Sequence, residues 1–338
     1  MKTKIDWNYK HIAISRTDSI GDVMLTLPMC AWFKKQYPTC KISFICKNYT
    51  APLVEKYSSI DQIIPVDEFM QMNKTEQLEF IRQFNFDAVI HVFPNKQLAK
   101  SIKKAKVPFR IGTSHRLYHL FTCNIRPNFT RKNSNLHESQ LNFELLKFFG
   151  LKTVPILELL NEYTSNFKLK STELPLEIKD KLKTKYIVLH PKSQGSALEW
   201  PIEKYRALSI LLIEQGYQVA FTGTEKEGAL FRERIPTEMG AIDTTGKLTI
   251  DQLCQLINKA DGLVACSTGP LHIAGFLNKK AVGLFSSRKP IHPGRWKPLG
   301  NNSVALVFDS LCKKCTQGQN CTCIENISVN AVAHYFID

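Results

Sequence analysis

A carboxylate, Asp22, follows a strand pattern and a glycine turn near the start of the chain. Residues 12–14 (IAI) predict a buried strand, and residues 19–22 (SIGD) lead from the turn into an amphipathic helix. This order puts Asp22 at a helix N-terminus, where the helix dipole stabilises negative charge. It also puts Asp22 beside the carboxyl ends of the strands, where α/β folds bind ligands. We therefore expect Asp22 to be a catalytic base.

The sequence ACSTGPLHIAGFL, in the second half of the chain, predicts an anion site. Ser267 or Thr268 can cap a helix there, and Pro270 suits the first turn because its missing amide hydrogen would be unpaired in any case. The amides of Thr268 and Gly269 would point at a phosphate, and His272 would reach a diphosphate or a sugar hydroxyl. The alternatives are an ordinary capped helix and a structural histidine.

Three further stretches would line the same sheet edge, at residues 190–193, 198–201 and 222–227. Loops that follow parallel strands gather where ligands bind in doubly wound folds. Glu227 offers a carboxylate that suits the hydroxyl pair of a ribose. A surface glutamate at the start of a helix explains the same residue equally well.

Several motifs of nucleotide and metal chemistry are missing from the sequence. There is no GxGxxG, and the segment GAIDTTGKL has one residue too many for a phosphate-binding loop and no Ser or Thr after Lys247. No DxD pair is present to hold a metal on a diphosphate. We therefore expect no cofactor and no metal-dependent nucleotide mechanism.

The chain has ten cysteines, of which Cys312, Cys315, Cys321 and Cys323 form a cluster. The scattered remainder fits a reducing compartment better than a disulfide framework. The cluster begins like a zinc ribbon, but its second pair is spaced CxC and follows after five residues. A four-thiolate metal site and a loop of free thiols both remain open, and our expectation is no metal.

The formal net charge of +15 suggests a polyanionic partner, such as nucleic acid, an anionic membrane face or a phosphorylated substrate. Residues 96–132 contain many Lys and Arg, among them Arg110 and Arg116, but no Asp or Glu. A solvated surface is the alternative explanation. We expect no nucleic-acid partner, because the run lacks the regularly interleaved aromatics of a stacking platform.

The order of strand and helix patterns indicates two α/β domains with parallel sheets. Strands are predicted at residues 12–14, 41–46, 63–66, 86–92, just before 110, 186–190, 218–222, 262–265 and 281–285. Helices are predicted at residues 51–57, 73–84, 135–149 with Gly150 as the cap, 201–216, 250–260 and 271–277. The 338 residues also exceed the roughly 250–300 that one core supports.

Several motifs resemble, jointly and in order, those of glycosyltransferase family 9, the ADP-heptose:lipopolysaccharide heptosyltransferase family. They are SIGDVMLTLP (19–28), FRIGTSHR (109–116), HPKSQGSALEWP (190–201), TGTEKE (222–227), TGKLTIDQL (245–253), STGPLHIA (267–274) and a cysteine tail ending in CIENI (323–327). The motifs cover nearly the whole chain, and their order and spacing are more specific than any one of them.

The resemblance implies the GT-B fold, with two Rossmann-like doubly wound domains facing each other across a cleft. We expect an acceptor-binding domain at residues 1–165, a linker at 166–184 and a nucleotide-sugar-binding domain at 185–325. The C-terminal helix, within residues 326–338, would pack back on the first domain. The resemblance also implies an inverting, metal-independent transfer, in agreement with the missing DxD.

Residue by residue, the resemblance assigns Asp22 as the general base and Glu227 as the nucleoside-binding glutamate. The donor-binding residues would be Lys192, Ser193, Thr222, Glu227, Ser267, Thr268, Gly269, Pro270 and His272. The acceptor-binding residues would be Ser19, Gly21, Arg110 and Arg116.

Two positions depart from the family's pattern. Many members have an Asp where this chain has Ser267, and a Lys where this chain has Leu198, two residues before the tryptophan of the WP pair. That lysine helps to neutralise the diphosphate leaving group. We expect Lys192, in the same loop, to replace it.

The resulting expectation is transfer of a heptose, or a related sugar, from a nucleotide donor, ADP-heptose by resemblance, to an anionic lipid-linked saccharide of the lipopolysaccharide inner core. The alternative is a non-catalytic sugar-nucleotide-binding or assembly protein that retains the fold. Because neither a membrane span nor a signal peptide is recognisable, we expect a cytoplasmic protein. Basic side chains would hold it peripherally on the inner membrane.

Overall fold

The computed structural model describes residues 5–132, 134–182 and 185–337. The chain divides into two compact units, Met1–Lys168 and Leu169–Asp338. The division falls within the expected linker, residues 166–184, of which 183 and 184 lie outside the described residues. The linker is more than an extended connection, because it contains a short helix, Leu176–Lys179, with Ile178 buried.

The first unit contains a five-stranded parallel sheet. Its strands are β1 (His11–Ser15), β2 (Lys41–Cys46), β3 (Gln62–Pro65), β4 (Ala88–His91) and β5 (Phe109–Gly112). They lie in the order β3-β2-β1-β4-β5. The central strand β1 is buried along its whole length, as is typical of a parallel strand covered on both faces.

The second unit contains a six-stranded parallel sheet. Its strands are β6 (Tyr186–His190), β7 (Gln218–Phe221), β8 (Ile242–Asp243), β9 (Gly262–Cys266), β10 (Lys280–Phe285) and β11 (Ser303–Val307). The order is β11-β10-β9-β6-β7-β8, that of nucleotide-binding doubly wound folds. The two edge strands, β8 and β11, were not expected, because one has two residues and the other is mostly half-buried.

The strand order of each sheet reverses beside its first strand, which creates a crevice at the carboxyl ends of the strands. In the first unit the reversal lies between β1 and β4, so residues 16–19 enter the crevice region directly after β1. In the second unit it lies between β6 and β9, and the loops that begin at residues 191 and 267 follow these two strands. The expected Asp22 and Thr268 regions therefore belong to the switch points of the two sheets.

The helices pack on these sheets and connect their strands. They are α1 (Ile20–Met24), α2 (Pro28–Gln36), α3 (Ala51–Val54), α4 (Asp67–Gln71), α5 (Lys74–Arg82), α6 (Lys96–Lys104), α7 (His119–Thr122), α8 (Glu138–Phe143), α9 (Leu157–Glu162), α10 (Leu176–Lys179), α11 (Ile202–Glu214), α12 (Glu225–Gly228), α13 (Ile250–Lys259), α14 (Gly269–Phe276), α15 (Pro293–Trp296), α16 (Lys313–Thr316) and α17 (Val329–Ala333). Short 3-10 helices occur at Asn48–Thr50, Glu144–Phe149, Tyr163–Asn166, Arg232–Arg234 and Thr237–Met239. Within the described part of the chain, none of these helices has the length and apolar character needed to cross a bilayer.

Two helices differ from their sequence patterns. The expected first helix is two helices, α1 and α2, joined by a turn in which the amide of Thr26 donates to the carbonyl of Val23 at 2.9 Å. Pro28 begins α2 and has no amide hydrogen to continue a helical ladder. The helix expected at residues 135–149 begins at Glu138 and ends as a 3-10 helix, although Gly150 caps it at φ 98° as predicted.

The C-terminal helix α17 packs on α11 within the second unit, and its expected packing on the first domain stays a prediction. Val332 and Ala333 are buried in the apolar core that contains Leu208 and Leu212 of α11. The carbonyl of Phe336 accepts a hydrogen bond from the Tyr217 hydroxyl at 2.9 Å. These apolar positions bury one side of α17 against α11.

Candidate active site

Asp22 is the third residue of α1, and two donors hold its carboxylate. Arg16 Nη2 pairs with Oδ1, and the hydroxyl of Ser19 donates to Oδ2. Ser19 precedes the helix in an extended conformation, so its hydroxyl serves Asp22 and caps no backbone amide. The Asp22 side chain is 17% exposed, which leaves it accessible to a ligand.

Arg16 directly follows β1 and forms ion pairs with three carboxylates of this site. Its side chain is 4% exposed. Its Nε lies 2.7 Å from Asp18 Oδ1 and its Nη1 lies 3.2 Å from Glu138 Oε1, in addition to its contact with Asp22. A guanidinium remains charged when buried and therefore requires paired partners. Arg16 thus fixes the position of the Asp22 carboxylate.

Asp18 is a second carboxyl in the same loop. Burial raises its pKa, Arg16 lowers it and Asp22 raises it again, with the result that the pKa of Asp18 is about 6. An acid that titrates near neutral pH is suited to proton transfer. The loop after β1 therefore carries two carboxyl groups around one buried guanidinium.

Glu138 connects this loop to α8. Its side chain is 1% exposed and its Oε1 lies 3.0 Å from Arg131 Nε. Arg131 Nη2 donates to Asn142 Oδ1 at 2.9 Å, and Asn142 Nδ2 donates to the carbonyl of Leu25 at 3.2 Å. The loop and the two helices α1 and α8 are therefore held as one polar network.

Sequence reasoning missed Arg16, Asp18 and Glu138. Arg16 and Asp18 follow the strand predicted at residues 12–14. The same signal drew attention to Asp22, and it could have identified these two residues as well. No local pattern marks Glu138, which lies 122 residues from Arg16 along the chain.

The expected acceptor-binding residues do not all lie together. Ser19 and Gly21 lie in or beside α1 with Asp22. Arg110 is part of β5, where its Nε donates to the carbonyl of Thr122 at 2.8 Å and its Nη1 to that of Val107. Arg116 is exposed in the turn that follows β5 and has no ion pair within the described residues. The Arg110 guanidinium is therefore bound by backbone carbonyls, whereas the Arg116 side chain is exposed. Acceptor binding by either residue stays a prediction.

In the second unit, Lys192 and Ser193 follow β6 and are both bound to Glu199. Lys192 Nζ lies 2.8 Å from Glu199 Oε2, and the amide and hydroxyl of Ser193 donate to Oε1 at 2.8 and 2.9 Å. Burial raises the pKa of Glu199, but the bonds from Lys192 and Ser193 outweigh it and hold that pKa below its ordinary value. The charge of Lys192, expected to replace a missing lysine, is thus already paired.

The expected anion turn lies between β9 and α14. Thr268 is the cap residue of this eight-residue helix, with extended backbone angles (φ −135°, ψ 167°), and Gly269 and Pro270 form its first turn. The Thr268 hydroxyl is buried and has no hydrogen-bond partner among the described residues. Ser267 is adjacent, and its carbonyl lies 3.5 Å from the Ser196 hydroxyl, which ties the turn to the loop after β6.

His272 and Thr222 are both buried near this edge of the sheet. The His272 ring is 6.5 Å from the ring of Trp296. Glu227 lies in the first turn of α12, where its Oε2 accepts bonds from the Thr224 amide at 2.7 Å and the Thr224 hydroxyl at 3.0 Å. One oxygen of Glu227 therefore takes part in capping α12. The residue is at the start of a helix, as the alternative to ribose binding required, but it is buried and does not lie on the surface.

A cavity of about 270 Å³ opens beside the anion turn in the second unit. Its lining includes both positions that depart from the family pattern, Leu198 and Ser267, together with Ser286, Arg288, Lys289 and Ile324. Neither Arg288 nor Lys289 has an ion pair within the part of the chain that the structure describes. Sequence reasoning missed both, because the loop after β10 has no recognisable motif.

Comparison with known proteins identifies the family of this chain. The model of glycosyltransferase family 9 (heptosyltransferase) matches residues 79–324, which include every expected donor-binding residue, whereas Asp22 precedes the match. Lipooligosaccharide heptosyltransferase 2 of Haemophilus influenzae is 24% identical, covering 87% of this chain and 88% of the relative. Lipopolysaccharide heptosyltransferase 3 of Escherichia coli is 22% identical, covering 84% and 85%.

Solved structures share the fold. A glycosyltransferase family 9 protein from Veillonella parvula superposes with a TM-score of 0.76 at 19% identity, covering 98% of this chain and 97% of that one. The E. coli ADP-heptose lipopolysaccharide heptosyltransferase II gives 0.72 at 20% identity, covering 96% and 97%. These similarities establish two Rossmann-like doubly wound units of the GT-B class. With the family model matching most of the chain, this protein belongs to glycosyltransferase family 9 and is a glycosyltransferase.

Proposed function

We propose that this protein is an inverting, metal-independent heptosyltransferase that moves a heptose from ADP-heptose to the inner core of a lipopolysaccharide. Two relatives are named as heptosyltransferases of lipopolysaccharide or lipooligosaccharide, and the name of a structural relative includes ADP-heptose. The lack of a DxD pair in the sequence supports a mechanism without a diphosphate-bound metal.

The observation that carries the proposal is the unpaired, buried hydroxyl of Thr268 at the start of α14. A buried hydroxyl without a partner is costly, and a diphosphate oxygen at the helix N-terminus would supply that partner. The amides of the same turn and the positive end of the helix dipole favour an anion at this place. The second unit therefore has a site suited to the donor's diphosphate.

Asp22 is the proposed general base. The acceptor hydroxyl attacks the anomeric carbon of the heptose, so that a new C–O bond forms on the face opposite the diphosphate. The anomeric carbon–phosphate oxygen bond breaks, its electron pair leaves with ADP, and the hydroxyl proton passes to the Asp22 carboxylate. Arg16 and Ser19 orient that carboxylate for the transfer.

Arg288 and Lys289 are the proposed source of positive charge for the leaving diphosphate. Lys192 is paired with Glu199 at 2.8 Å, which reduces the charge it can offer. Arg288 and Lys289 line the cavity that also contains Leu198 and Ser267. Arginine and lysine both bind phosphates through charge-assisted hydrogen bonds, so they can replace the lysine missing at position 198.

Exposed basic side chains are the basis for the proposed contacts with the acceptor and with the membrane. Arg116 is exposed, and lysines of α6 such as Lys100 and Lys103 present further positive charge to solvent. Each basic side chain near an anionic membrane surface contributes about 1 kcal/mol of binding. We propose that this surface meets the phosphates of the acceptor and holds the protein peripherally on the cytoplasmic face of the inner membrane.

The second candidate is a non-catalytic protein that binds the sugar nucleotide. The observation that favours it is the occupation of both Asp22 oxygens, by Arg16 and by Ser19. In such a protein the carboxylate would be a structural ion-pair partner, and the donor site of the second unit would still bind ADP-heptose.

A transfer assay separates the two candidates. The full-length protein is incubated with ADP-heptose and a heptose-deficient lipopolysaccharide, and the acceptor is analysed by mass spectrometry. We expect the addition of one heptose, an inverted anomeric configuration by NMR, and a rate independent of added Mg²⁺ or Mn²⁺. Binding of ADP-heptose without any product would favour the non-catalytic protein.

Replacement of Thr268 by Val tests the donor turn. The substitution keeps the shape of the side chain but removes its hydroxyl, which contributes about 1.5–3 kcal/mol when bonded to a charged group. The dissociation constant for ADP, measured by calorimetry, should rise at least about tenfold. The melting temperature should not fall, because the hydroxyl has no partner in the described structure. Unchanged ADP affinity would contradict the assignment.

A further inference from the structure

The sulfur atoms of Cys312, Cys315, Cys321 and Cys323, the cysteine cluster, all lie within 4.8 Å of one another. Cys312 Sγ is 3.5 Å from Cys321 Sγ, and Cys321 Sγ is 3.1 Å from Cys323 Sγ. A disulfide would require about 2.05 Å. Four sulfurs at about 2.3 Å from a tetrahedral zinc ion stand about 3.8 Å apart, which is the spacing that this cluster approaches.

A single helical turn and one glycine bring the sulfurs together. Cys312 caps α16 and Cys315 lies within it, so the two residues share one face of the turn. Gly318 then reverses the chain at φ +74°, a conformation that favours glycine. Its amide donates to the carbonyl of Cys315 at 2.9 Å. This reversal lets a five-residue connection return Cys321 and Cys323 to the first pair.

We propose that the cysteine cluster binds one divalent metal ion of the zinc type through four thiolates. Thiolates select soft metal ions, and four of them in a tetrahedron are typical of a structural zinc site. Cys315 and Cys323 are buried, whereas Cys312 and Cys321 are partly exposed, which gives the ion a path of entry. The cluster thus differs from the loop of free thiols expected from its sequence spacing, because Gly318 closes the loop.

The ion has a structural role in this proposal, because it fixes the segment that follows it. Ile324, next to Cys323, is buried in the apolar core of the second unit and also lines the cavity beside the anion turn. The carbonyl of Ile327 accepts hydrogen bonds from Trp200 Nε1 at 3.0 Å and Lys204 Nζ at 2.9 Å. Metal binding would hold residues 324–327 against α11 and the loop before it.

The test is the metal content of the full-length protein, purified with a thiol reductant, incubated with excess Zn²⁺ and dialysed. Elemental analysis by inductively coupled plasma mass spectrometry should find about one zinc ion per chain. Replacement of zinc by Co²⁺ should give the visible absorption bands of tetrahedral cobalt thiolates. One iron ion per chain after purification without added zinc would also support the site. Less than about a tenth of an equivalent of any metal would overturn the proposal.

Variants locate the ion. Cys312→Ser and Cys321→Ser should each lower the bound metal at least about tenfold, whereas Cys46→Ala, which removes a buried cysteine of the first unit, should not. Metal retained by both serine variants would overturn the proposal. If these variants do not fold, chelation of the wild-type protein should expose four additional reactive thiols, and their absence would be equally decisive. None of these readouts depends on transferase activity.

Discussion

At the scale of single residues, Arg16 fixes the position of the Asp22 carboxylate. Its guanidinium is almost fully buried and contacts Asp18, Asp22 and Glu138. Arg16 and Ser19 hold the Asp22 carboxylate in one position. In the proposed reaction, proton transfer then depends on how the acceptor hydroxyl is placed against that carboxylate.

Asp18 should give the stability of the protein a characteristic pH dependence. Its folded-state pKa, about 6, lies above the ordinary 3.8, so the folded protein binds more protons than the unfolded chain between these values. Below about pH 4, Asp18 makes its largest favourable contribution to the free energy of unfolding. That contribution is lost as the pH rises through about 6. The difference in pKa corresponds to about 3 kcal/mol.

Denaturant unfolding of the wild type and of Asp18→Asn at about pH 4 and pH 7.5 measures this effect. The free energy of unfolding of the wild type, minus that of the variant, should fall by about 2–3 kcal/mol between the two pH values. A difference that is the same at both would show that Asp18 does not titrate in this range.

Arg288 should contribute to donor binding by its charge. Replacement by Ala should raise the dissociation constant for ADP about tenfold, because it removes a charge-assisted hydrogen bond to a phosphate. Leu198→Lys in the same variant should restore most of the affinity, since position 198 lines the same cavity. Lys181→Ala, an exposed lysine outside the cavity lining, is the matched control. An Arg288→Ala variant with wild-type affinity would exclude this role.

At the scale of elements, the C-terminal helix α17 stabilises the second unit. Val332 is fully buried against α11, so Val332→Ala should lower the free energy of unfolding by about 2 kcal/mol through lost burial and a small cavity. Asn330→Ala, at an exposed position of the same helix, should change it by less than about 0.5 kcal/mol. Equal effects in denaturant unfolding would mean that α17 does not depend on this packing.

The sequence predicted those elements that have a recognisable pattern within their own residues. The buried strands β1, β6 and β9 read as apolar runs, and the turn at Thr268 was marked by its cap, glycine and proline. The edge strand β11 was missed because it is only half-buried and lacks such a run. The packing of α17 on α11 was not predicted, because α11 lies more than a hundred residues earlier in the chain.

The same limit applies to the candidate site. Asp22 and Thr268 could be proposed from the sequence because each follows a strand and lies at the start of a helix. Glu138 and Arg288 could not, because their importance rests on contacts with residues distant in sequence or on a cavity wall. Arg110 was expected to bind an acceptor, but its guanidinium is held by backbone carbonyls of its own sheet edge.

At the scale of the whole molecule, the two units have separate sheets and distinct proposed tasks. The first contains the candidate base with its network of charges, and the second contains the anion turn and the cavity. The division near residue 168 falls within the linker expected at residues 166–184. This arrangement predicts that donor binding and proton transfer can be impaired independently by substitutions in different units.

The most direct measurement is therefore the turnover of Asp22→Asn together with its affinity for ADP-heptose. The substitution keeps the size of the side chain but removes its basicity, so kcat should fall by about 10²–10⁴, while the dissociation constant of the donor should remain within about twofold of the wild-type value. An Asp22→Asn enzyme that keeps more than about a tenth of its turnover, with unchanged donor binding, would contradict Asp22 as the general base.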